Sequence, residues 1–182
     1  MWAAADDERA PDCIEYYLSV IGKAGGAFST YALRDRKSAT DTEMIAPVLS
    51  GQANCSSDIR NFVYNPCPSF IYGLYRRSTV LALFPSAVFD WYDCFFILSV
   101  IQSAGFVCVK SAPKYFAGTF GEYVAKPSNG RYLMPLNYFL KAFPIVAEGG
   151  PSAILAHLGI FATATKLNYR IAKQALVQLK PA

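Results

Sequence analysis

The strongest constraint on the fold is a nearly all-apolar segment that begins at Phe95 and ends at Gly105. The segment is long enough for about three helical turns. A helix that is apolar on all sides has to be buried, so the segment predicts a central helix of the core. Directly before it stands a short acidic and aromatic sequence, Phe89-Asp90-Trp91-Tyr92-Asp93-Cys94.

The two acids of that sequence, Asp90 and Asp93, have two interpretations. The first turn of a helix has unpaired N–H groups and the positive end of the helix dipole, and both favour Asp. Asp90 would then cap a core helix, and Asp93 would lie in its first turn. Alternatively, one of the two carboxylates faces a cleft and acts as a general base on a rigid element. The sequence leaves both interpretations open.

Length and composition indicate a single domain of ordinary size with a sizeable core. The chain has 182 residues, of which 53% are hydrophobic and 16% are charged, and this excludes global disorder. The net charge of +4 is mild and the basic residues are scattered, so we expect no nucleic-acid partner. The sequence near Met1 lacks the basic region of a secretory signal, and no run of about 18 apolar residues predicts a membrane span.

The cysteine pattern argues against a zinc site and against a complete disulfide framework. The cysteines are odd in number, widely spaced and without a CxxC pair, and the chain has one histidine, His157. We therefore expect a reducing compartment and a cytoplasmic protein, and we interpret His157 as a packing or surface residue. The five cysteines are Cys13, Cys55, Cys67, Cys94 and Cys108.

The first part of the chain predicts a βαβ-like unit. A short apolar run, Trp2–Ala5, ends in three acids that begin at Asp6. A helix then begins near Pro11, glycines stop it, and Ala27–Leu33 predicts the next strand. The acidic turn would lie at the carboxyl end of the first strand, and ligands of open α/β sheets bind at that edge.

The middle of the chain alternates between polar and apolar stretches. The polar stretch Arg34–Pro68 predicts a long excursion with a short helix near Thr40–Leu49. The following stretches predict a strand over 70–75, a helix over 79–83, a strand over 106–110 and a loop over 111–130.

The last part of the chain predicts two helices. Residues 132–147 predict one helix interrupted by prolines, and a second would run from Ser152 to about Leu179. The second helix could pack on the domain, on a second subunit, or on an anionic membrane surface, because its late basic residues suit either a helix end or lipid headgroups. Its apolar stripe is Ile154, Leu155, Leu158, Phe161 and Ala162, and its basic residues are Lys166, Arg170, Lys173 and Lys180.

Three segments in the same order resemble family-2 glycosyltransferases of the GT-A fold. The acidic turn at Asp6-Asp7, with a proline opening a helix shortly after, is similar to the acidic turn of that family. The segment Tyr72–Arg76 resembles its Tyr-Gly-Leu-Phe-Arg-type sequence. Asp93 precedes Gly105 at a spacing similar to that of the family's base carboxylate from the glycine after its helix. The resemblance covers Trp2 to about Val109.

The resemblance implies transfer of a sugar from a nucleotide-sugar to a polysaccharide or glycolipid acceptor, with inversion. Asp93, or else Asp90, would take the proton of the acceptor hydroxyl. A divalent cation, Mg²⁺ or Mn²⁺, would neutralise the diphosphate leaving group on carboxylate oxygens. The remaining implied roles are metal binding by Asp6 and Asp7, sugar stacking by Tyr72 and Trp91, and phosphate pairing by Arg76 or Arg77.

The chain departs from the family pattern in three places. The family has a nucleotide-binding half before the acidic turn, so the resemblance implies a truncated chain that need not be active by itself. Ala4 stands where many members have the first Asp of Asp-x-Asp, and no late histidine follows Val109 in an Arg-x-His context. Metal binding would then depend on Asp6 and Asp7.

We therefore expect an α/β fold with an incomplete GT-A-like, Rossmann-like sheet, packed helices and a C-terminal helical extension. Residues 1–130 would form the acceptor-side half domain, and residues 131–182 the helical region. The function is either a glycosyltransferase or a non-catalytic remnant that binds a partner through an exposed sheet edge and its C-terminal amphipathic helix. The second alternative includes a homo-oligomer and peripheral contact with the inner face of a membrane.

Overall fold

The computed structural model describes residues 7–35, 37–44, 46–86, 91–119 and 135–162. These residues form a mixed α/β structure with two sheets of four strands each. The strands are β1 (Glu8–Arg9), β2 (Gly26–Ser29), β3 (Tyr31–Asp35), β4 (Thr40–Met44), β5 (Leu49–Ser50), β6 (Leu74–Tyr75), β7 (Phe106–Val109) and β8 (Tyr115–Thr119). The helices are α1 (Cys13–Ile21), α2 (Ser56–Tyr64), α3 (Arg77–Leu83), α4 (Tyr92–Ser103), α5 (Pro135–Glu148), a 3₁₀ helix (Pro68–Tyr72) and a helical segment at 151–162.

Two parallel strand pairs join the two sheets. One sheet has the order β5-β7-β2-β6 and the other has the order β1-β8-β3-β4. Strand β2 pairs in parallel with β7, with Phe28 opposite Cys108, and β3 pairs in parallel with β8, with Leu33 opposite Ala117. Because β2 leads into β3 through Thr30 and β7 leads into β8, the same two chain segments run side by side through both sheets.

Helix α4 is the central helix that the apolar segment predicts. Its buried residues include Phe96, Ile97, Leu98, Val100 and Ile101, and it packs on α2, α3, α5 and β7. The aromatic rings of the sheet continue this core, because Phe70 stacks on Phe106 with ring centroids 5.0 Å apart. Burial of an all-apolar helix on every side is what fixes its position.

The polar stretch before residue 68 differs from its prediction. The short helix predicted near residues 40–49 is wrong, because Thr40–Met44 forms β4 and pairs antiparallel with β3. Arg34 of β3 binds Asp41 of β4 with both its Nε and its Nη2, so pairing between strands overrides local helix propensity. The helix of this stretch is α2, where buried Asp58 accepts hydrogen bonds from the backbone and side chain of Ser50.

Two other predicted elements are also corrected. Residues 70–75 form the end of a 3₁₀ helix and only a two-residue strand, β6, because Gly73 packs against the carbonyl of Ala27 where a side chain has no room. Residues 115–119, predicted as part of a loop, form β8 between β1 and β3. The predicted helix near 79–83 and strand near 106–110 are confirmed as α3 and β7.

The end of the described chain forms two packed helices. The predicted break at Gly149–Pro151 is confirmed, and His157 is buried against Phe139 with ring centroids 4.5 Å apart. The predicted apolar stripe is divided between two environments: Ile154 and Phe161 pack against the core, whereas Leu155 and Leu158 are 70% and 49% exposed. His157 is on the buried side of this segment, and the two leucines are on its exposed side. The predicted continuation of the helix to Leu179 lies outside the described residues.

Within the described residues, no helix combines the length and the apolar character that crossing a membrane requires. The βαβ-like prediction for the first residues is tested only in its second half, since Trp2–Ala5 lies outside the described residues. Helix α1 confirms the predicted helix, but the predicted strand Ala27–Leu33 is divided at Thr30 into β2 and β3, which lie in different sheets.

Substitution of Gly105 should lower the stability of the fold strongly. Its φ is +74°, and a Cβ there would collide with the carbonyl oxygen of Gly51. We expect Gly105→Ala to lower the free energy of unfolding by ~1–2 kcal/mol for the left-handed backbone and by a further ~1–3 kcal/mol for the collision. Urea unfolding followed by circular dichroism measures the change.

Gly150→Ala is the matched control, because Gly150 has φ +84° and open space within 4 Å of the position that a Cβ would take. It should show only the backbone cost. Equal losses in the two variants would contradict the close approach of Gly105 and Gly51.

Candidate functional site

The first turn of α4 holds a half-buried carboxylate, Asp93. Its Oδ1 accepts a hydrogen bond from the N–H of Cys94 at 2.7 Å. Removal from water raises the pKa of Asp93 above its ordinary value, and the bond from Cys94 offsets this only in part. Desolvation of this kind holds a carboxylate closer to the working pH of a general base.

Two buried tyrosines respond to the charge of Asp93. Burial raises the pKa of both Tyr75 and Tyr138, and the negative charge of Asp93 contributes to the shift at each. Trp91, directly before α4, has φ +64° and is 39% exposed. Its ring centroid lies 5.3 Å from that of Tyr138. The partly exposed indole of Trp91 therefore packs on a tyrosine whose pKa responds to the charge of Asp93.

A second acidic group lies beside strand β8. The hydroxyl of Tyr115 donates to Oδ2 of Asp7, and the N–H of Gly118 donates to Oδ1 at 3.4 Å. The ring of Tyr72 stacks on that of Tyr115, with centroids 5.2 Å apart and planes 24° apart. Arg9 lies over the same ring and donates to the carbonyl of Tyr72 at 3.0 Å. The structure therefore brings together two predicted site residues, Asp7 and Tyr72, through Tyr115.

The segment from Tyr72 to Tyr75 lies near both acidic groups. Tyr72 stacks on the partner of Asp7, and Tyr75 lies close enough to Asp93 for its pKa to respond to that charge. Residues three apart along a chain have Cα atoms within about 10 Å of each other. In the described structure, the segment Tyr72–Tyr75 therefore connects the surroundings of Asp7 with those of Asp93.

Asp6 and Asp90 lie outside the described residues, so their predicted roles stay predictions. Within the described ranges, no group of three or more His, Cys, Asp or Glu side chains is placed to hold a metal ion. Asp7 is the described member of the predicted metal pair, and its oxygens already accept from Tyr115 and Gly118. A carboxylate has about four lone-pair positions, so these bonds by themselves do not conflict with a cation.

The two arginines after β6 differ in their surroundings. Arg76 donates from Nε to the carbonyl of Ala24 at 2.9 Å and from Nη2 to the carbonyl of Gly22. These bonds hold the turn between α1 and β2, which supports a structural role for Arg76. Arg77 is exposed at the start of α3. Of the two, Arg77 is better placed for the phosphate contact that the sequence predicts.

Sequence reasoning missed Arg9, Tyr115 and Tyr138. Tyr115 lies in a stretch that lacks a strong strand pattern, and only its pairing with β3 and β1 fixes it there. Tyr138 lies on α5, far from Asp93 in sequence, so no local spacing connects the two. The adjacent aromatics Tyr115 and Phe116 were the available signal of a strand.

A small cavity lies at the carboxyl ends of β2 and β7. Its volume is ≈ 190 Å³, and its lining includes Thr30, Glu43, Cys108 and Lys110. Ligand pockets usually span about 300–1,000 Å³. The cavity is therefore smaller than a sugar-binding cleft, and its lining contains none of the predicted site residues.

No protein-family model matches the chain, and comparisons with curated proteins and with solved structures find no match either. The resemblance to glycosyltransferases therefore stays a prediction that depends on the sequence motifs. The α/β class is what the described structure establishes by itself.

Substitutions of Arg76 and of Arg77 should change the free energy of unfolding by different amounts. Arg76→Ala leaves the carbonyls of Gly22 and Ala24 without this donor, and hydrogen bonds to charged groups contribute about 1.5–3 kcal/mol. We expect a loss of that size in the free energy of unfolding, measured in urea. The neighbouring exposed Arg77→Ala should change it by about 0.5 kcal/mol or less, and an equal loss would contradict the structural role of Arg76.

The Asp93→Asn variant should differ from the unaltered chain in how its free energy of unfolding depends on pH. The pKa of Asp93 is raised in the folded chain, so folding favours its protonated form and the native protein loses stability as pH rises above 3.8. Asn cannot ionise, and its oxygen can still accept from Cys94. We expect the variant to gain stability relative to the unaltered chain as pH increases, measured by urea unfolding between about pH 4 and pH 8.

Asp12→Asn is the control of opposite sign. Its hydrogen bond with Lys114 lowers the pKa of the exposed Asp12, so any stabilisation by its charge is present at neutral pH and is lost toward acid. Relative to the unaltered chain, Asp12→Asn should therefore lose a small amount of stability as pH rises. The same trend in both variants would contradict desolvation of Asp93.

Proposed function

We propose that the chain is a family-2-like glycosyltransferase, or the acceptor-side half of one, that transfers a sugar from a nucleotide-sugar with inversion. The observation that carries the proposal is Asp93, a half-buried carboxylate with a raised pKa on the first turn of a rigid buried helix. It is the residue that the sequence motif marks as the base. Motif and environment therefore agree on one side chain.

In the proposed reaction, Asp93 accepts the proton of the acceptor hydroxyl as that oxygen attacks the anomeric carbon. The bond from the sugar to the diphosphate breaks, and the nucleoside diphosphate leaves with the electron pair. Burial of α4 holds the carboxylate in place, which keeps the acceptor oxygen oriented. Trp91 is 39% exposed beside it, and an indole face is a suitable surface for a sugar ring.

The donor side of the proposal uses the acidic turn. Asp6 and Asp7 would hold Mg²⁺ or Mn²⁺, which supplies charge neutralisation of the diphosphate when bound. Tyr72, close to Asp7 through Tyr115, would contact the donor sugar or its phosphates. The exposed Arg77 would pair with a phosphate, for which a planar guanidinium is suited.

Two matched variants test the assignment of the base. The full chain is incubated with Mn²⁺, a panel of nucleotide-sugars and glycan acceptors, and nucleoside diphosphate release is measured. We expect Asp93→Asn to lower transfer by about 10²–10⁴-fold, the usual contribution of a general base. Glu15→Gln, an exposed acid of α1, should leave transfer unchanged.

Isothermal titration separates donor binding from chemistry. Donor and Mn²⁺ should give heat with the unaltered chain and with Asp93→Asn, whereas Asp7→Asn should weaken it. No heat and no transfer with any donor would overturn the proposal of an active transferase, and transfer that survives Asp93→Asn would overturn the assignment of the base to Asp93.

The alternative is a non-catalytic module that binds a partner. Exposed apolar side chains on the C-terminal helices favour it, and the charged edge strand β4 argues against binding at the sheet. Strand β4 is an edge strand with Thr40, Asp41, Thr42 and Glu43 exposed, and charged edges discourage strand addition. The C-terminal helices instead expose large apolar side chains, among them Leu140 and Leu155. Partner binding would therefore use the helices and not this edge.

A further inference from the structure

The cavity of ≈ 190 Å³ lies where two parallel strands leave one sheet for the other. Strands β2 and β7 pair in parallel up to Ser29 and Val109. The next residues, Thr30 and Lys110, begin the connections to β3 and β8, and both line the cavity. Ligands of open α/β sheets bind in crevices outside the carboxyl ends of the strands. The cavity therefore has the position of a ligand site.

Hydrogen bonds hold two walls of the cavity in place. The hydroxyl of Thr30 accepts from the N–H of Ser111 at 3.2 Å, and its carbonyl accepts from the N–H of Lys114 at 3.3 Å. On the other wall, the side-chain amide of Asn61 donates to the carbonyl of Val48 at 3.4 Å. These bonds tie the connection after β7 to Thr30 and the connection before β5 to α2. A site that is ordered beforehand loses little conformational entropy when a ligand binds.

The buried hydroxyl of Thr30 has a proton to donate. Thr30 is 5% exposed, and within the described residues its hydroxyl accepts one hydrogen bond, from Ser111, and donates none. A hydroxyl can donate one hydrogen bond and accept two. Because a buried donor without an acceptor lowers stability, an acceptor atom in the cavity, such as a carboxylate oxygen, would be favourable for this group.

Two opposite charges belong to the lining of the cavity. Glu43 is on β4 and Lys110 follows β7, and both side chains are exposed. Among the ion pairs between described residues, none contains Glu43 or Lys110. Either charge can therefore bind a ligand without breaking an existing ion pair. The rest of the lining is mostly apolar and includes Met44, Ala46, Val48 and Cys108.

The volume and the charges of the cavity together select a class of ligand. A water molecule takes up about 30 Å³ of the liquid, so ≈ 190 Å³ has room for about six waters, or for an organic molecule of about six to eight non-hydrogen atoms. A ligand with only a carboxylate would be repelled by Glu43, and a ligand with only an amine would be repelled by Lys110. A zwitterion offers each of these residues the opposite charge, and the apolar lining suits a short aliphatic side chain.

We propose that this cavity binds a small aliphatic α-amino acid, of the size of alanine or valine. The carboxylate of the ligand would pair with the ammonium of Lys110 and accept a hydrogen bond from the hydroxyl of Thr30. Its ammonium would pair with Glu43, and its side chain would contact Cys108 and Val48. This inference does not depend on the glycosyltransferase proposal, because the lining contains none of the residues assigned to that reaction.

Titration of the full chain, followed in NMR spectra of the backbone amides, tests the class of ligand. L-alanine and L-valine should shift the amide signals of Thr30, Val109 and Lys110, and the shifts should saturate. Isovalerate is valine without its amine, and isobutylamine is valine without its carboxylate. Each should bind on the order of tenfold more weakly than valine, because each lacks one charged hydrogen-bonding group. L-phenylalanine should bind more weakly than valine, because its ring exceeds the space for a side chain.

Variants of the two charged residues test how the ligand is oriented. Lys110→Gln and Glu43→Gln should each weaken the binding of valine on the order of tenfold. Glu43→Gln should at the same time strengthen the binding of isovalerate, because it removes the repulsion between two carboxylates. Lys23→Gln and Glu15→Gln change exposed charges away from the cavity and should bind valine like the unaltered chain. Circular dichroism of all four variants checks folding.

Four outcomes would overturn the proposal. The first is the absence of shifts at the cavity with both alanine and valine. The second is binding of isovalerate or isobutylamine as tight as that of valine, and the third is equally tight binding of phenylalanine. The fourth is unchanged binding of valine in both cavity variants. The glycosyltransferase proposal is tested separately, by transfer and by donor binding.

Discussion

The burial of α4 is the constraint on which the rest of the structure depends. Phe96, Ile97 and Leu98 are fully buried, and the helix is in contact with α2, α3, α5 and β7. An element surrounded in this way cannot shift without opening the core, since interiors are packed as densely as organic crystals. Its first turn therefore holds Asp93 at a fixed position, and the same burial removes that carboxylate from water and raises its pKa. Core packing and the raised pKa of Asp93 have one physical cause here.

The segment Tyr72–Tyr75 is the second organising feature. Tyr72 stacks on Tyr115, the partner of Asp7, and the charge of Asp93 contributes to the raised pKa of Tyr75. Gly73 allows this close passage, because a Cβ there would lie 2.5 Å from the carbonyl oxygen of Ala27. The predicted resemblance to glycosyltransferases includes this same segment, and in the proposed enzyme it would join the donor side to the acceptor side.

The sequence predicted elements well where one interaction was dominant. The apolar segment of α4 could only be a buried helix, and Gly149–Pro151 could only be a break. Prediction was wrong where distant pairing decided the structure. Strand β4 depends on Arg34 and Asp41, and β8 depends on β1 and β3. The sequence left open which side of segment 151–162 faces the core, and the rings of α5 decide it, since they bury His157 and leave Leu155 exposed.

The sequence by itself determined the α/β class, the core helix, and the short list of acids and aromatics from which a site could be built. It did so because hydrophobic periodicity and glycine positions are local properties. Only the tertiary structure decided that Tyr115 donates to Asp7, that the charge of Asp93 contributes to the raised pKa of Tyr138, and that Arg76 donates to a carbonyl of the turn before β2. These contacts join residues far apart in the chain, and burial, which sets the pKa of a carboxylate, exists only once such residues have come together.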